Sequence, residues 1–573
     1  MIFKGLAITA SLLVIGSCTK FMDEPVPQGT ISEVDVLKPE YVENLVISAY
    51  AGYSTIEEIN TSFTLWNYDV RSDDAYKGGN GTEDGDVFHA LEVSKGVMPT
   101  MWNVNDMWRR LYNAVSRPNT ALSVLEKMDE STYPLKNQRI AEMRFLRSHG
   151  LFMLKQLFKY IVFVNDPNIT YEDYYELSNR TYTNDEGWQL IADDFKYAFD
   201  NLPTTQKDKG RPTKASAAAY LAKVYLYKAY HQDNPDNHEI TGIDKNDLAK
   251  VVEYTEKSLY SGYGLAPDMH DNFRPEAEYE NGPESMFAIQ YSMNDGTLSG
   301  NRNWALGLVV PNIPGVTDGG CDFYKPSQNL VNAFRTDADG HPLFDTFNEQ
   351  NYDPQKDNVD PRLFLTAGIP GFPYEFNEKY MVDYTPVWSR SNGLYGYYVN
   401  LKYNVDPDSG YLIKGGWYGS PMNNIVIRYA EVLLMRAEAL IQLDGRIAEA
   451  VDLINQIRER AAKSFSVIGD YPEKYGVHFN VKPYSGITSK EDAMKAMKFE
   501  RRVELAMECD RFFDLVRWGE AAEVLNKYYA EEKSRCVIYD GANFVKNQHE
   551  YLPLPQNQIS ASDGKYVQNC GIW

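Results

Sequence analysis

Two tryptophans stand close together in the segment TMWNVNDMWRRLY, residues 100–112, with asparagines between them and an arginine pair after them. Such a segment is either hydrophobic core or a contact surface for a ligand. Trp108 begins an apolar stripe at helical spacing, which predicts that its ring is core. Trp102 lies six residues earlier, about 240° around an ideal helix, so the two rings cannot share one face.

The start of this predicted helix decides how Trp102 is interpreted. Asn105 and Asp106 are both good N-cap residues, which would leave Trp102 in the loop that enters the helix. A tryptophan in that position either packs as a hydrophobic staple onto the first helical turn or contacts a ligand. The residue types alone leave both alternatives open.

Trp304 is a second aromatic candidate, because it lies between planar polar side chains in the segment GNRNWALG. Sugars present patches of C–H groups on a ring face and hydroxyl groups around the rim. An aromatic ring beside amide, carboxylate or guanidinium groups matches that surface. Trp304 is therefore either a sugar contact or an anchor for its own loop, and Tyr324 is a further candidate of the same kind.

Asp73 and Asp74 are adjacent carboxylates in a glycine-rich stretch after the first predicted helix. A glycosidase needs two carboxyl groups at a fixed separation, which neighbouring residues of a turn do not provide. Turn capping is the structural alternative. The chain also contains no GxSxG, P-loop, GxGxxG or HExxH motif, so none of the common catalytic signatures supports an enzyme.

Two short segments, RTDADG at 335–340 and NVDPDSG at 404–410, bring side-chain oxygens close together in the sequence, as calcium sites do. Neither has the EF-hand order with glutamate at the twelfth position. We therefore expect ordinary Asx turns in both segments. Five cysteines without CxxC spacing give no zinc or redox motif, and we predict neither a metal nor a cofactor.

The N-terminus predicts export. Residues 1–17 combine Lys4, a short apolar stretch and small residues, as a signal peptide does. Residues 15–18, IGSC, look like a bacterial lipobox, in which Cys18 becomes the first mature residue and carries acyl chains. Two or more acyl chains anchor a protein firmly to a membrane. Residues 18–39 are polar, with Pro25 and Pro27, and predict a flexible tether.

Composition narrows the class of ligand. The chain has 573 residues with a formal net charge of −23, which argues against nucleic acid, because a phosphate backbone requires a basic binding face. It also contains 42 tyrosines and 9 tryptophans. Most of these rings are expected to pack between helices, while several could form a contact platform.

Helical periodicity divides the globular part into three regions, an N-terminal helical scaffold at 40–262, a loop-rich subdomain with short strands at 263–424 and C-terminal helical repeats at 425–573. The segment RYAEVLLMRAEALIQLDGRIAEAVDLINQIRERA predicts two helices joined at Gly445, which is the layout of a tetratricopeptide-type repeat. The predicted helices cover residues 40–58, 106–128, 136–160, 185–201, 213–230, 247–260, 490–507 and 514–529.

Several segments occur together in the order and spacing of one family. The chain resembles the SusD/RagB family of outer-membrane lipoproteins. The segments that carry this resemblance are RSDDAYKGG (71–79), AEMRFLRSHGLFMLKQLF (141–158), GRPTKASAAAYLAKVYLY (210–227), FYKPSQNLVNAFRTDADG (323–340), VDPRL (359–363), RYAEVLLMRAEAL, INQIRERA, ERRVELAMECDRFFDLVRWG (500–519) and YLPLPQNQI.

The resemblance implies a mainly α fold, with about four tetratricopeptide-like helical pairs and the loop-rich subdomain packed on them. It implies capture of oligosaccharides without catalysis and delivery to a SusC-like TonB-dependent transporter. It also implies that the protein is located at the outer membrane, where it is lipid-anchored through Cys18 and faces the exterior. The alternatives are a relative that captures peptides or glycopeptides, a glycoside hydrolase, or a scaffold for the transporter without a ligand of its own.

The resemblance also implies roles for particular residues. In the starch-binding member, a tryptophan and an asparagine three residues later contact the glycan at this place in the chain, and Trp102 with Asn105 matches that spacing. An acidic ligand contact falls in the region of Asp73 and Asp74. Together with Trp304 and Tyr324, these residues are the predicted ligand site.

Overall fold

The computed structural model describes residues 35–573 except 56–58, 60–63, 66, 260, 298–299, 386, 415–416 and 444. The predicted signal peptide, Cys18 and most of the tether lie outside these described residues. Within the described part of the chain, no helix has both the length and the apolar character needed to cross a bilayer.

Long helices form the N-terminal region. They pack in chain order, with α3 against α4, α4 against α6, α6 against α7, and α7 against α8. The bounds are α1 (Pro39–Ala51), α2 (Asp86–Glu92), α3 (Trp102–Leu125), α4 (Lys136–Phe158), α5 (Tyr171–Tyr175), α6 (Asn184–Asn201), α7 (Lys214–Ala229) and α8 (Lys245–Leu259).

Local sequence explains where these helices begin and how closely they pack. Thr183 caps α6 and Thr213 caps α7, each by a reciprocal capping box with the residue three positions later. Every alanine between 215 and 222 is buried in α7. These small side chains allow α6 and α8 to pack closely against α7.

Short elements replace long helices in the middle of the chain. The helices are α9 (Ala305–Val309), α10 (Gln328–Ala333), α11 (Leu363–Thr366) and α12 (Asn392–Tyr395). The strands of the whole described chain are β1 (Ala75–Gly78), β2 (Tyr230–His231), β3 (Gly242–Ile243), β4 (Ser285–Ile289), β5 (Phe323–Pro326), β6 (Arg335–Thr336), β7 (Asn358–Val359), β8 (Ala367–Gly368), β9 (Pro373–Tyr374), β10 (Asn377–Met381), β11 (Val399–Asn400), β12 (Asn424–Arg428) and β13 (His478–Phe479).

Antiparallel strand pairs connect this middle region to the helical scaffold. β1 pairs with β5, and β4 pairs with β12. The hydrophobic core of the region also contains Val70 from the N-terminal side and Val503 from the C-terminal side. The loop-rich subdomain is therefore built partly from residues outside 263–424, and the predicted boundaries stay predictions.

The C-terminal region returns to long helices, with α13 packed on α14, on α16 and, across the molecule, on α8. The bounds are α13 (Tyr429–Gln442), α14 (Ile447–Ala461), α15 (Tyr471–Tyr475), α16 (Lys490–Glu504), α17 (Arg511–Trp518), α18 (Ala521–Glu532) and α19 (Gln556–Ala561). The contact between α13 and α8 joins the two helical regions into one scaffold.

One predicted helix, 514–529, is wrong, since the structure has two helices in its place. Gly519 ends α17 in the left-handed region, with φ of +74° and ψ of 18°. Glycine adopts this conformation without the steric penalty that a Cβ carries, and it commonly ends helices. α18 then starts at Ala521.

Candidate functional site

Trp102 is the first residue of α3, so the prediction that it precedes the helix is wrong. Met101 is the N-cap, in an extended conformation and without a side-chain capping bond. The helix starts early because Val104 and Met107, both fully buried, already belong to its core-facing stripe. Trp102 points to the other side, where its side chain is 54% exposed.

The two tryptophans of α3 have opposite surroundings, as their angular separation predicts. Trp108 of α3 is buried against α4 and the C-terminal segment. Its ring centroid lies 5.0 Å from that of Phe158 and 6.3 Å from that of Tyr566. Among the described residues, Trp102 makes an edge-on contact with the ring of the buried Phe88 of α2, with the ring centroids 5.7 Å apart. That contact fixes one edge of the indole and leaves a large apolar surface exposed.

Asn105 lies on the first turn of α3, three residues after Trp102, so the two side chains are on the same side of the helix. It is partly exposed. Its Oδ1 accepts a hydrogen bond from Gln558 Nε2 of α19 at 3.1 Å. Asp106, the other predicted N-cap, instead pairs with Arg109 and Arg110 at 2.8 and 2.6 Å.

Trp304 immediately precedes α9 and is partly exposed. The guanidinium of Arg302 lies 4.7 Å from its ring centroid. Its neighbour Asn303 is buried and donates through Nδ2 to the carbonyl of Met422 at 2.9 Å. Trp304 therefore remains a candidate contact, while Asn303, one of its planar polar neighbours, serves the fold.

Asp73 and Asp74 are buried in ion pairs, which argues against the prediction that they contact a ligand directly and favours a structural role. Asp73 accepts from Arg511 Nε and Nη2 at 2.8 and 3.0 Å, and Asp74 pairs with Arg502 Nε at 2.7 Å. Burial opposes ionisation of Asp73, but Arg502 and Arg511 outweigh it and hold the pKa of this carboxyl below its usual range.

Tyr324 is fully buried, which likewise argues against the prediction that it contacts a ligand. Its hydroxyl donates to Asp69 Oδ2 at 2.7 Å. Burial raises the pKa of Tyr324 well above its usual value. Burial, together with the nearby charge of Asp74, raises the pKa of Asp69 to about 7. The Tyr324–Asp69 pair therefore belongs to the interior beneath β1 and β5.

The two candidate calcium segments form Asx turns, as the sequence predicts. Asp406 Oδ1 accepts from the backbone N–H of Asp408 at 3.0 Å, and Asp337 Oδ1 accepts from that of Asp339 at 2.9 Å. Asp408 also pairs with Lys379 at 2.9 Å. Across the described residues, no group of three or more His, Cys, Asp or Glu side chains is arranged to hold a metal ion.

Two surface features were not predicted from the sequence. Trp417, in the segment GGWYG, is 53% exposed. The glycines on both sides of it are the sequence feature that could have indicated an exposed loop. A cleft of about 600 Å³ lies between α16, α17, α18 and the 344–349 segment. Its lining includes Phe344, Phe347, Phe499 and Trp518, together with the buried Asp73 and Arg502 and the partly buried Arg511.

Comparison with known proteins identifies the family. A family model described as "SusD family" matches residues 283–572. The chain belongs to the SusD family. A second model, described as "Starch-binding associating with outer membrane", matches residues 21–226. The resemblance seen in the sequence motifs is thus confirmed, and so is the prediction that this SusD-family chain is not an enzyme.

Similar proteins cover the chain almost end to end. SusD-like protein P38 of Formosa agariphila is 24% identical over 558 residues, 93% of this chain and 95% of its own. A SusD homologue of Bacteroides thetaiotaomicron has a TM-score of 0.71 at 20% identity, covering 95% of this chain and 99% of its own. A laminarin-binding SusD-like protein has a TM-score of 0.64 at 21% identity, covering 93% and 100%. These structures confirm the mainly α fold.

Proposed function

We propose that this SusD-family protein captures neutral or weakly charged oligosaccharides without changing them and passes them to a SusC-like TonB-dependent transporter. The observation that carries the proposal is Trp102, a large ring held at 54% exposure on the first turn of α3 with Asn105 on the same side. An exposed indole beside an amide presents the apolar face and the hydrogen-bonding groups that a sugar requires. Trp304 is the second proposed contact.

The family relationship supports the class of ligand. Similar solved proteins include a laminarin-binding SusD-like protein and a surface glycan-binding protein A from Bacteroides fluxus, and the N-terminal family description names starch. We expect a Kd of roughly 10 μM to 1 mM for one site, about 4–7 kcal/mol. Repeated sugar units that rebind would raise the effective affinity.

The proposed location is the outer membrane, with Cys18 acylated and the folded domain facing the exterior. The lipobox sequence IGSC and the polar stretch that follows support this placement, as does the family description. A Cys18→Ser variant in a bacterial host tests it. We expect the variant to leave the outer-membrane fraction, and retention there would contradict lipid anchoring.

The ligand class is tested on protein lacking residues 1–18. A glycan array followed by calorimetric titration should identify at least one bound oligosaccharide. Trp102→Ala and Trp304→Ala should each weaken its binding about tenfold. Tyr174→Ala, which removes another exposed ring, is the matched control and should bind as the parent does. Unchanged binding in the first two variants would contradict the residue assignments, and an empty array would contradict the function.

Capture of peptides is the second candidate, and the cleft beside α16 and α18 favours it. Aromatic side chains line this cleft together with lysines and carboxylates, such as Lys495 and Glu523. Such a mixture suits the alternating apolar and charged groups of a peptide. Titration with a panel of mixed-sequence hexapeptides separates the two candidates, since binding of peptides without binding of glycans would replace the first proposal with the second.

A further inference from the structure

Trp417 lies in a short hairpin of the loop-rich region. The ends of the hairpin are joined by an antiparallel bridge between Ile413 and Gly419. The Trp417 side chain is 53% exposed. A single exposed apolar residue needs no functional explanation, so the case depends on how the hairpin is held and on what lies beside it.

Arg302 connects this hairpin to Trp304. Its Nη1 donates to the carbonyl of Trp417 at 2.7 Å, and its guanidinium lies 4.7 Å from the ring centroid of Trp304. Arg302 is only 8% exposed, and its buried Nε has no hydrogen-bond partner among the described residues. Arg302 therefore contacts both the ring of Trp304 and the backbone of Trp417.

Backbone contacts also hold the two segments together. The N–H of Asn303 donates to the carbonyl of Ser420 at 2.7 Å. Gly419 passes directly over the Arg302 stem, because a Cβ at Gly419 would lie 2.5 Å from Arg302 Cδ. Any side chain at position 419 would therefore force either Arg302 or the hairpin to move.

Gly307 brings the Trp417 ring to the side of α9 on which Trp304 lies. A Cβ at Gly307 would lie 3.7 Å from the Cε3 of Trp417 and 2.8 Å from the carbonyl oxygen of Tyr418. Gly307 follows Trp304 by three residues, and its N–H donates to the Trp304 carbonyl at 3.1 Å. Residues three apart on a helix are neighbours, so Trp417 packs on the turn that Trp304 begins.

We propose that Trp417 and Trp304 form a two-ring subsite for adjacent pyranose units of one oligosaccharide, with Arg302 as the positioning residue for both rings. The inference rests on the proposed function and adds to it a contact residue and a requirement for at least two sugar units. Each ring offers an apolar face to the C–H groups of one unit, and Arg302 acts through the rings.

Calorimetric titration with maltohexaose, laminarihexaose, cellohexaose and mannohexaose, each beside its disaccharide and monosaccharide, tests the subsite. Trp417→Ala should weaken binding of the recognised hexaose about tenfold, and Trp417→Phe should recover part of the loss because a ring remains. Arg302→Met should weaken binding of the hexaose and the disaccharide while leaving the monosaccharide unaffected, since it disturbs the spacing of two rings. Tyr384→Ala, which removes another exposed ring, is the control.

The outcomes separate this inference from the function on which it rests. If Trp417→Ala binds the hexaose as the parent does while Trp102→Ala binds it more weakly, the subsite is wrong and the function stands. If the parent binds no sugar of the panel and none on the array, the function fails and the subsite with it. The hexaose should protect the tryptophan fluorescence of the parent from acrylamide quenching. A smaller protection in Trp417→Phe would support direct contact with Trp417.

Discussion

Trp102 and Trp108 belong to the same helix and differ in their exposure and in their ring contacts. Trp108 is 4% exposed and contacts the rings of Tyr112, Phe158 and Tyr566. Trp102 is 54% exposed and, among the described residues, contacts the ring of Phe88. Burial therefore assigns Trp108 to the core, and the exposure of Trp102 is compatible with its proposed role as a ligand contact.

Truncation of the two rings should lower the free energy of unfolding by very different amounts. Trp108→Ala should lower the free energy of unfolding by about 3–5 kcal/mol, because it leaves a cavity in a packed core. Trp102→Ala should change it by less than about 1 kcal/mol, because its ring is largely hydrated in the folded state. Urea unfolding of both variants measures this. Equal destabilisation would contradict the division of roles.

Asp73 provides a second contrast at the residue scale. Asp73→Asn removes a buried charge that pairs with Arg502 and Arg511, and leaves those cations incompletely compensated. We expect a loss of about 3–5 kcal/mol in unfolding free energy. Asp345→Asn breaks the exposed pair with Lys495 and should cost less than about 1 kcal/mol. Similar costs for the two variants would show that the buried pairs contribute no more than a surface pair.

Helix ends explain how the C-terminal elements are arranged. The break between α17 and α18 depends on Gly519, whose φ is +74°. A Cβ at this position would also lie 3.0 Å from Ile240 Cγ1. A side chain at position 519 would therefore press against the N-terminal region.

Gly519→Ala should lower the unfolding free energy by about 1–2 kcal/mol, because alanine is strained in the left-handed conformation. Gly393 in α12 is a suitable comparison, since its φ is not positive and a Cβ there meets no atom within 4 Å. Gly393→Ala should be neutral or slightly stabilising. Thermal unfolding of both variants distinguishes a requirement for positive φ from a general effect of removing glycine.

Buried ion pairs connect distant parts of the whole molecule. The motif at 500–519 supplies Arg502 and Arg511 to Asp73 and Asp74 of the N-terminal region. It also supplies Arg517 to Glu438 of α13, at 2.5 and 2.7 Å. The residues that carry the family resemblance are thus largely structural.

This network predicts loss of stability in acid. Burial raises the pKa of Glu438, but Arg517 and hydrogen bonds from Tyr230 and Trp518 outweigh that effect and lower it from 4.5 to about 2. A lowered carboxyl pKa stabilises the fold above the unfolded value near 4.5, and the contribution is lost as pH falls toward 2. Its size is on the order of 3 kcal/mol.

Urea unfolding between pH 6 and pH 3 measures this contribution. The unfolding free energy of the parent should fall through the range, and Glu438→Gln should show a shallower dependence because its side chain cannot titrate. Glu378→Gln, at an exposed partner of Lys474, serves as the control with the parent slope. Identical slopes for the parent and Glu438→Gln would remove Glu438 from the acid response.

The amino-acid sequence by itself determined the family, most helix positions and the core role of Trp108. These depend on local periodicity and on the order of motifs, which can be read from neighbouring residues. The tertiary structure decided which polar and aromatic residues face solvent. Asp73 finds Arg511 across 438 positions of sequence, and Trp417 meets Arg302 across 115. No local pattern encodes such distant partners, because burial and pairing arise only when the chain has folded.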